Sequence, residues 1–219
     1  MKALLYKEFK LAMHPICWVF IFVFPLMILI PSYPLGIGFI YVLTCYPILF
    51  LGANKGQQSN DLLFSTLLPV RKKDIVLARM FTVIIMQFIF IAVLSALYPL
   101  AYFINSSLPA DKASIPGIKL EGFLVLLGIA LIGYAVADLI FFPIYYKKGR
   151  SIVGSTLATI LGFVVYIGLF TIGLPFVPGV DGFFTYLYQP ENLWVQIVIL
   201  LGCLAIYAAI HVAVYHISA

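Results

Sequence analysis

The chain has 219 residues, of which 64% are apolar and 10% charged, with a mean hydropathy of +1.13 and a formal net charge of +5. Soluble domains carry about 25% charged residues, so water cannot be its main solvent. The positive charges flank apolar stretches, where they serve topology and contact anionic headgroups, which argues against a nucleic-acid partner.

Six stretches are apolar over enough length to be read as membrane spans: residues 15–30, 35–53, 80–104, 122–146, 151–176 and 193–217. About 20 apolar residues cross a hydrocarbon layer of about 30 Å, and the last four stretches exceed that length with room for tilt. Lysine and arginine crowd into alternate connections. Lys2, Lys7, Lys10, Lys55, Arg71, Lys72, Lys73, Arg79, Lys147, Lys148 and Arg150 fall on one side, and only Lys112 and Lys119 on the other. This positive-inside bias predicts an all-α, polytopic integral membrane protein with six transmembrane helices and both termini cytoplasmic. The spans use nearly the whole chain, so residues 1–219 are expected to form a single transmembrane domain.

Residues 1–14 come first. Leu5, Phe9, Ala12 and Met13 recur at helical spacing while Lys7, Lys10 and His14 point elsewhere, the pattern of an amphipathic helix lying in the membrane interface. The basic start resembles a secretory signal, but no small-residue cleavage site follows the apolar run, so the segment is expected to be retained. His14 precedes Pro15, where the backbone disfavours helix, and reads as a polar hinge. Pro25 is expected to kink the first span, and Pro31 and Pro34 to close a tight external turn. Cys17, Cys45 and Cys203 lie within spans without C-x-x-C pairing, and so read as small buried apolar side chains, not as a disulfide framework or a zinc site.

The connection between the second and third spans is the most informative local sequence. Ser59, Asn60 or Asp61 can cap a helix, the apolar run Leu62, Leu63, Phe64, Leu67 and Leu68 fills about two turns, and Pro69 ends it. Arg71, Lys72 and Lys73 form a basic turn, and Asp74 is read as the cap of the helix entering the third span. An apolar helix at residues 59–73 on the cytoplasmic side has no reason to be exposed unless a partner covers it.

Further along, residues 105–121 form a polar external loop holding Pro109 and Pro116. Asp138 is the one formal charge well inside a span. Such a residue costs about 2.5–3.5 kcal/mol on insertion scales, so it must be paired or face a cavity. Lying about 13 Å from Lys147 along a helix, it falls in the cytoplasmic half. It is read either as a buried ion pair with a snorkelling Arg79 or Arg150, or as a gating or substrate-passage residue. Gln87, Asn105, His211 and His216 read as lone polar groups satisfied by interhelical hydrogen bonds or headgroups. Gly154, Ala158 and Gly162, and likewise Ala205, Ala209 and Ala213, recur every four positions. Such stripes let helices approach closely, within one subunit or across a dimer. Residues 177–191 mix Pro178, Gly179 and Gly182 with Phe183, Phe184, Tyr186, Leu187 and Tyr188, which suits an external hairpin with aromatics at headgroup level.

A short apolar helix ending in Leu68-Pro69, then the basic cluster Arg71-Lys72-Lys73, then Asp74 leading into a span, resembles the first cytoplasmic loop of type-2 ABC exporter permeases. Six spans, an amphipathic N-terminal helix and a membrane-dipping hairpin before the last span extend the resemblance over the whole chain. Among such permeases it is most similar to the membrane subunits of phenol-soluble-modulin and similar bacterial peptide exporters. The resemblance implies that residues 59–73 are a coupling helix docking on a separately encoded cytoplasmic ATPase, and that two permease subunits pair, as a homodimer in preference to a heterodimer, in a bacterial cytoplasmic membrane. No G-x-x-x-x-G-K-[ST] motif occurs and no connection is long enough for a nucleotide-binding domain. The chain is thus expected to hold no cofactor and not to be an enzyme, with ATP and magnesium bound by the partner. There is no H-E-x-x-H, no paired-carboxylate motif and no serine with a convincing base.

Two other readings use the same residues. One is a gradient-driven carrier with Asp138 as its proton or cation site, against which stands the lack of an inverted repeat of Gly/Pro-broken helices. The other is a non-transporting membrane sensor or scaffold that recruits a soluble partner through residues 59–73.

Overall fold

The structure, a computed structural model, describes residues 2–9, 16–29, 71–107, 122–147, 152–170 and 176–218. The predicted second span at 35–53, most of the loop at 59–73 and most of the external loop at 105–121 lie outside the described residues. All regular elements among the described residues are helical.

Helix α1, Lys2–Lys7, is a single short element. It is not held by lipid alone, because Glu8 just beyond it is buried and pairs with Arg79. Helix α2, Ile16–Val23, gives way to a tighter 3₁₀ segment at Phe24–Leu29. The change falls at the residue before Pro25, whose ring and missing N–H disrupt the α-helical ladder, as expected for a proline in a span.

Helix α3 runs Lys72–Ser106 through Pro99. It begins earlier than the sequence suggested, so Asp74 is not the cap but sits inside the first turn, its N–H donating to the Arg71 carbonyl at 2.9 Å. A carboxylate there still favours the helix through the positive end of its dipole. Helix α4 covers Phe123–Lys147, α5 covers Ile152–Gly168 and α7 covers Leu193–Ser218, close to the predicted spans at their starts. The α-helical part of α5 ends at Gly168, and residues 171–175, toward the predicted end at 176, lie outside the described residues. By length and composition, α3, α4 and α7 can each cross a membrane, and the segments Ile16–Leu29 and Ile152–Gly168 are shorter apolar helices.

The region before α7 is a short helix, α6, Val180–Leu187, followed by a 3₁₀ turn at Pro190–Asn192. Gly179 starts it at φ 88°, a left-handed conformation that costs a glycine nothing. Leu187 is buried and its carbonyl accepts a 2.6 Å hydrogen bond from the Gln196 side chain, fixing α6 to α7. Phe183, Tyr186 and Trp194 are exposed.

Helix α4 is the centre of the packing, with α7 on one side and α5 on another. Small residues make this possible. A methyl group on Gly128 would lie 3.0 Å from Cys203 Sγ on α7, and one on Gly133 would lie 3.0 Å from the rings of both Phe163 and Tyr166 on α5. Tyr166 is itself fixed by its hydroxyl, which donates to the Ile129 carbonyl at 2.7 Å. Helix α3 packs mainly on the 3₁₀ segment Phe24–Leu29 and meets α4 at fewer places. Among these are ring pairs, Phe90 edge-on to Tyr134 and Tyr98 stacked on Phe123 with centroids 4.1 Å apart.

Candidate functional site

Three helices converge on Asp138, which is completely buried. Gln87 comes from the middle of α3, and Tyr207 and His211 stand one turn apart on α7, so that both project from the same face. The Gln87 amide donates through Nε2 to Asp138 Oδ2 at 2.9 Å. His211 Nε2 lies 2.9 Å from the same oxygen. The Tyr207 hydroxyl donates to Gln87 Oε1. His211 Nδ1 lies 2.8 Å from the Tyr207 backbone carbonyl, and the two rings lie against each other with centroids 4.1 Å apart. Phe88 on α3 closes the outer side, edge-on to Tyr207.

These contacts form a polar bridge inside an apolar core. In hydrocarbon an unpartnered polar group has no water to fall back on, so the bridge holds α3, α4 and α7 in one register. Beside it a cavity of about 430 Å³ opens between α3 and α7, lined chiefly by apolar side chains such as Met80, Phe81, Ile84 and Phe88, with Tyr207 and His211 in its wall. That volume lies in the range of small-molecule sites. Among the described residues no group of His, Cys, Asp and Glu side chains could hold a metal ion. The arrangement can hold a proton and fix helices.

Arg79, one of the two expected partners of Asp138, pairs with Glu8, which draws α1 onto α3. Arg150 lies outside the described residues. His211 and Gln87, read from the sequence as separate polar groups, are in fact hydrogen-bonded across helices to one carboxylate. The signal that could have joined them was the presence of several mid-span polar side chains, each needing a partner where water is absent.

Of the predicted coupling residues, Asn60, Asp61, Leu62, Leu63, Phe64, Leu67 and Leu68 lie outside the described residues. Arg71 and Lys73 are exposed at the start of α3, and Lys72 is its first residue. The small-residue stripe of α5 divides. A methyl on Gly162 would meet Ile140 of α4, so that glycine packs within the chain, Ala158 is half-buried, and Gly154 is exposed. On α7, Ala205, Ala209 and Ala213 are all exposed. Cys17 is buried and Cys203 half-buried, both as free thiols, and Cys45 lies outside the described residues.

Comparison with known proteins gives a family. A profile described as ABC-2 family transporter protein matches residues 3–219. No curated protein and no solved structure matches the chain.

Proposed function

The chain belongs to the ABC-2 family of transporter proteins, and from that premise we propose that it is the permease subunit of an ATP-driven exporter whose ATPase is a separate cytoplasmic polypeptide. A multi-pass membrane subunit of this family supplies the path and not the hydrolysis. The observation that carries the reading is the family match over 217 of 219 positions, residues 3–219, on a chain whose apolar helices leave no stretch for a nucleotide-binding fold.

In this reading six spans place both termini in the cytoplasm of a bacterial cell, and two copies of the chain pair in the inner membrane. Residues 59–73 are the lever between the ATPase and the second and third spans, because a short rigid helix transmits a partner's movement as a rigid-body displacement. The exposure of Arg71 and Lys73 at the start of α3 supports a basic rim beside that lever. The substrate is amphipathic or hydrophobic, such as a membrane-active peptide or a drug-like molecule, in keeping with the apolar side chains that line the cavity between α3 and α7.

The experiment is co-purification. Interfaces concentrate their energy in a few buried anchors, aromatics foremost, and truncating one costs about 2 kcal/mol or more, a roughly thirty-fold loss of affinity. Phe64→Ala is therefore expected to release the ATPase while the permease stays folded, and Lys72→Ala to do so far less. A folded Phe64→Ala protein that keeps its ATPase at full stoichiometry contradicts the coupling assignment.

The burial of Asp138 against a histidine favours one second reading, a carrier driven by a proton gradient. It predicts transport without any ATPase.

A further inference from the structure

The hydrogen-bond geometry at Asp138 and His211 fixes how many protons the pair holds, whatever the chain transports. A backbone carbonyl only accepts, so His211 Nδ1, 2.8 Å from the Tyr207 carbonyl, carries a hydrogen. His211 Nε2 and Asp138 Oδ2 are 2.9 Å apart, and a hydrogen must lie between them. It sits either on Nε2, giving an imidazolium beside a carboxylate, or on Oδ2, giving a neutral imidazole beside a carboxylic acid. Both arrangements have the same proton count and the same net charge of zero. The alternative is a neutral imidazole with its hydrogen on Nε2 beside a carboxylate. That would turn a bare Nδ1 lone pair toward a carbonyl lone pair.

We propose that Asp138 and His211 form a proton-binding site within the bridge between α3, α4 and α7: together they take up one proton beyond the neutral-histidine, carboxylate state. The proton comes from and returns to water, and no other bond is made or broken. Gln87 is the positioning residue. It donates to Asp138 on α4 and accepts from Tyr207 on α7, so α3 is tied to both members of the bridge only while the carboxyl oxygen is held in place.

Among the described residues, the other titratable groups near the site are Tyr207 on α7, which belongs to the bridge, and Tyr134 on α4, which is close enough to Tyr207 to act on it electrostatically. The Glu8–Arg79 pair lies about two turns away along α3.

The test uses the full-length protein in lipid, labelled with ¹⁵N-histidine. The chain has three histidines, and the signals of His211 are assigned by their loss in His211→Asn. Unpaired histidines change state between about pH 5 and pH 8. His211 is expected to keep a protonated Nδ1 across that whole range, with the second hydrogen seen either on Nε2 or as an infrared carboxylic-acid band that disappears in Asp138→Asn. In Asp138→Asn, His211 is expected to be neutral, its Nε2 accepting from the new amide. A wild-type His211 with a bare Nδ1, or one that titrates together with the other two histidines, overturns the proposal. So does an Asp138→Asn spectrum with unchanged histidine signals and no carboxylic-acid band lost. Because wild-type protein gives the primary readout, a variant that fails to fold leaves the question answerable.

Discussion

Helices α4 and α7 are both apolar over a bilayer's length, yet 61% of the most apolar stretch of α4 is buried inside the protein and only 17% of that of α7. Lipid accounts for the likeness in composition. Hydrocarbon tails are as apolar as leucine, so an interior helix and a peripheral one need the same bulk hydropathy. The difference is carried by the small and polar side chains. On α4, Gly128 and Gly133 let neighbours approach and Asp138 binds them. On α7 the buried positions are Gln196, Tyr207, His211 and Val214, while Gly202, Ala205 and Ala209 are exposed.

The largest effect is expected where the two helices share a charge. His211→Leu removes one partner of a buried, hydrogen-bonded pair, a change that costs about 3–5 kcal/mol of stability. Asp138→Asn keeps a donor for His211 Nε2 and introduces no charge, so its loss should be much smaller. Equilibrium unfolding of both variants in the same bilayer mimetic checks this, and equal losses would mean that the pair is not held together by charge.

A smaller effect separates the glycines. Gly128→Leu pushes side-chain atoms into Cys203 and toward the backbone at Leu200, and such overpacking typically costs about 1–3 kcal/mol. A Cβ at Gly202 would meet nothing within 4 Å, and Gly202→Leu should stay within about 0.5 kcal/mol of wild type. If Gly202→Leu proved as damaging as Gly128→Leu, the outer face of α7 would be covered in the assembled protein, and a second copy of the chain would be the first candidate to cover it.

Much of this architecture was legible in advance. The starts of α4, α5 and α7 fall within a residue of the predicted spans, because each follows a change from polar or turn-forming residues to an unbroken apolar run. The break in the α-helix at Pro25, where it passes into a 3₁₀ segment, was legible for the same reason that proline always is, a missing donor. The start of α3 was misplaced because Lys72 and Lys73 read as a turn by charge, while nothing in their backbone preferences prevents helix. Which helix lies at the centre could not be read, since hydropathy is the same inside and out. Nor could the partners of Asp138 be read. Gln87 and His211 are 51 and 73 positions from it, and their meeting depends on helix rotation and crossing, which no local pattern encodes. Arg79, a candidate by charge and reach, pairs with Glu8 of the first segment.

The driving force of transport separates an ATP-driven permease from a proton-driven carrier. Vesicles reconstituted with this chain and the ATPase that co-purifies with it, loaded with a fluorescent amphipathic peptide, should move the peptide only when ATP is supplied. They should continue to do so after an ionophore has collapsed the proton gradient. Movement driven by an imposed proton gradient in vesicles containing this chain alone would contradict the permease reading and establish the carrier in its place.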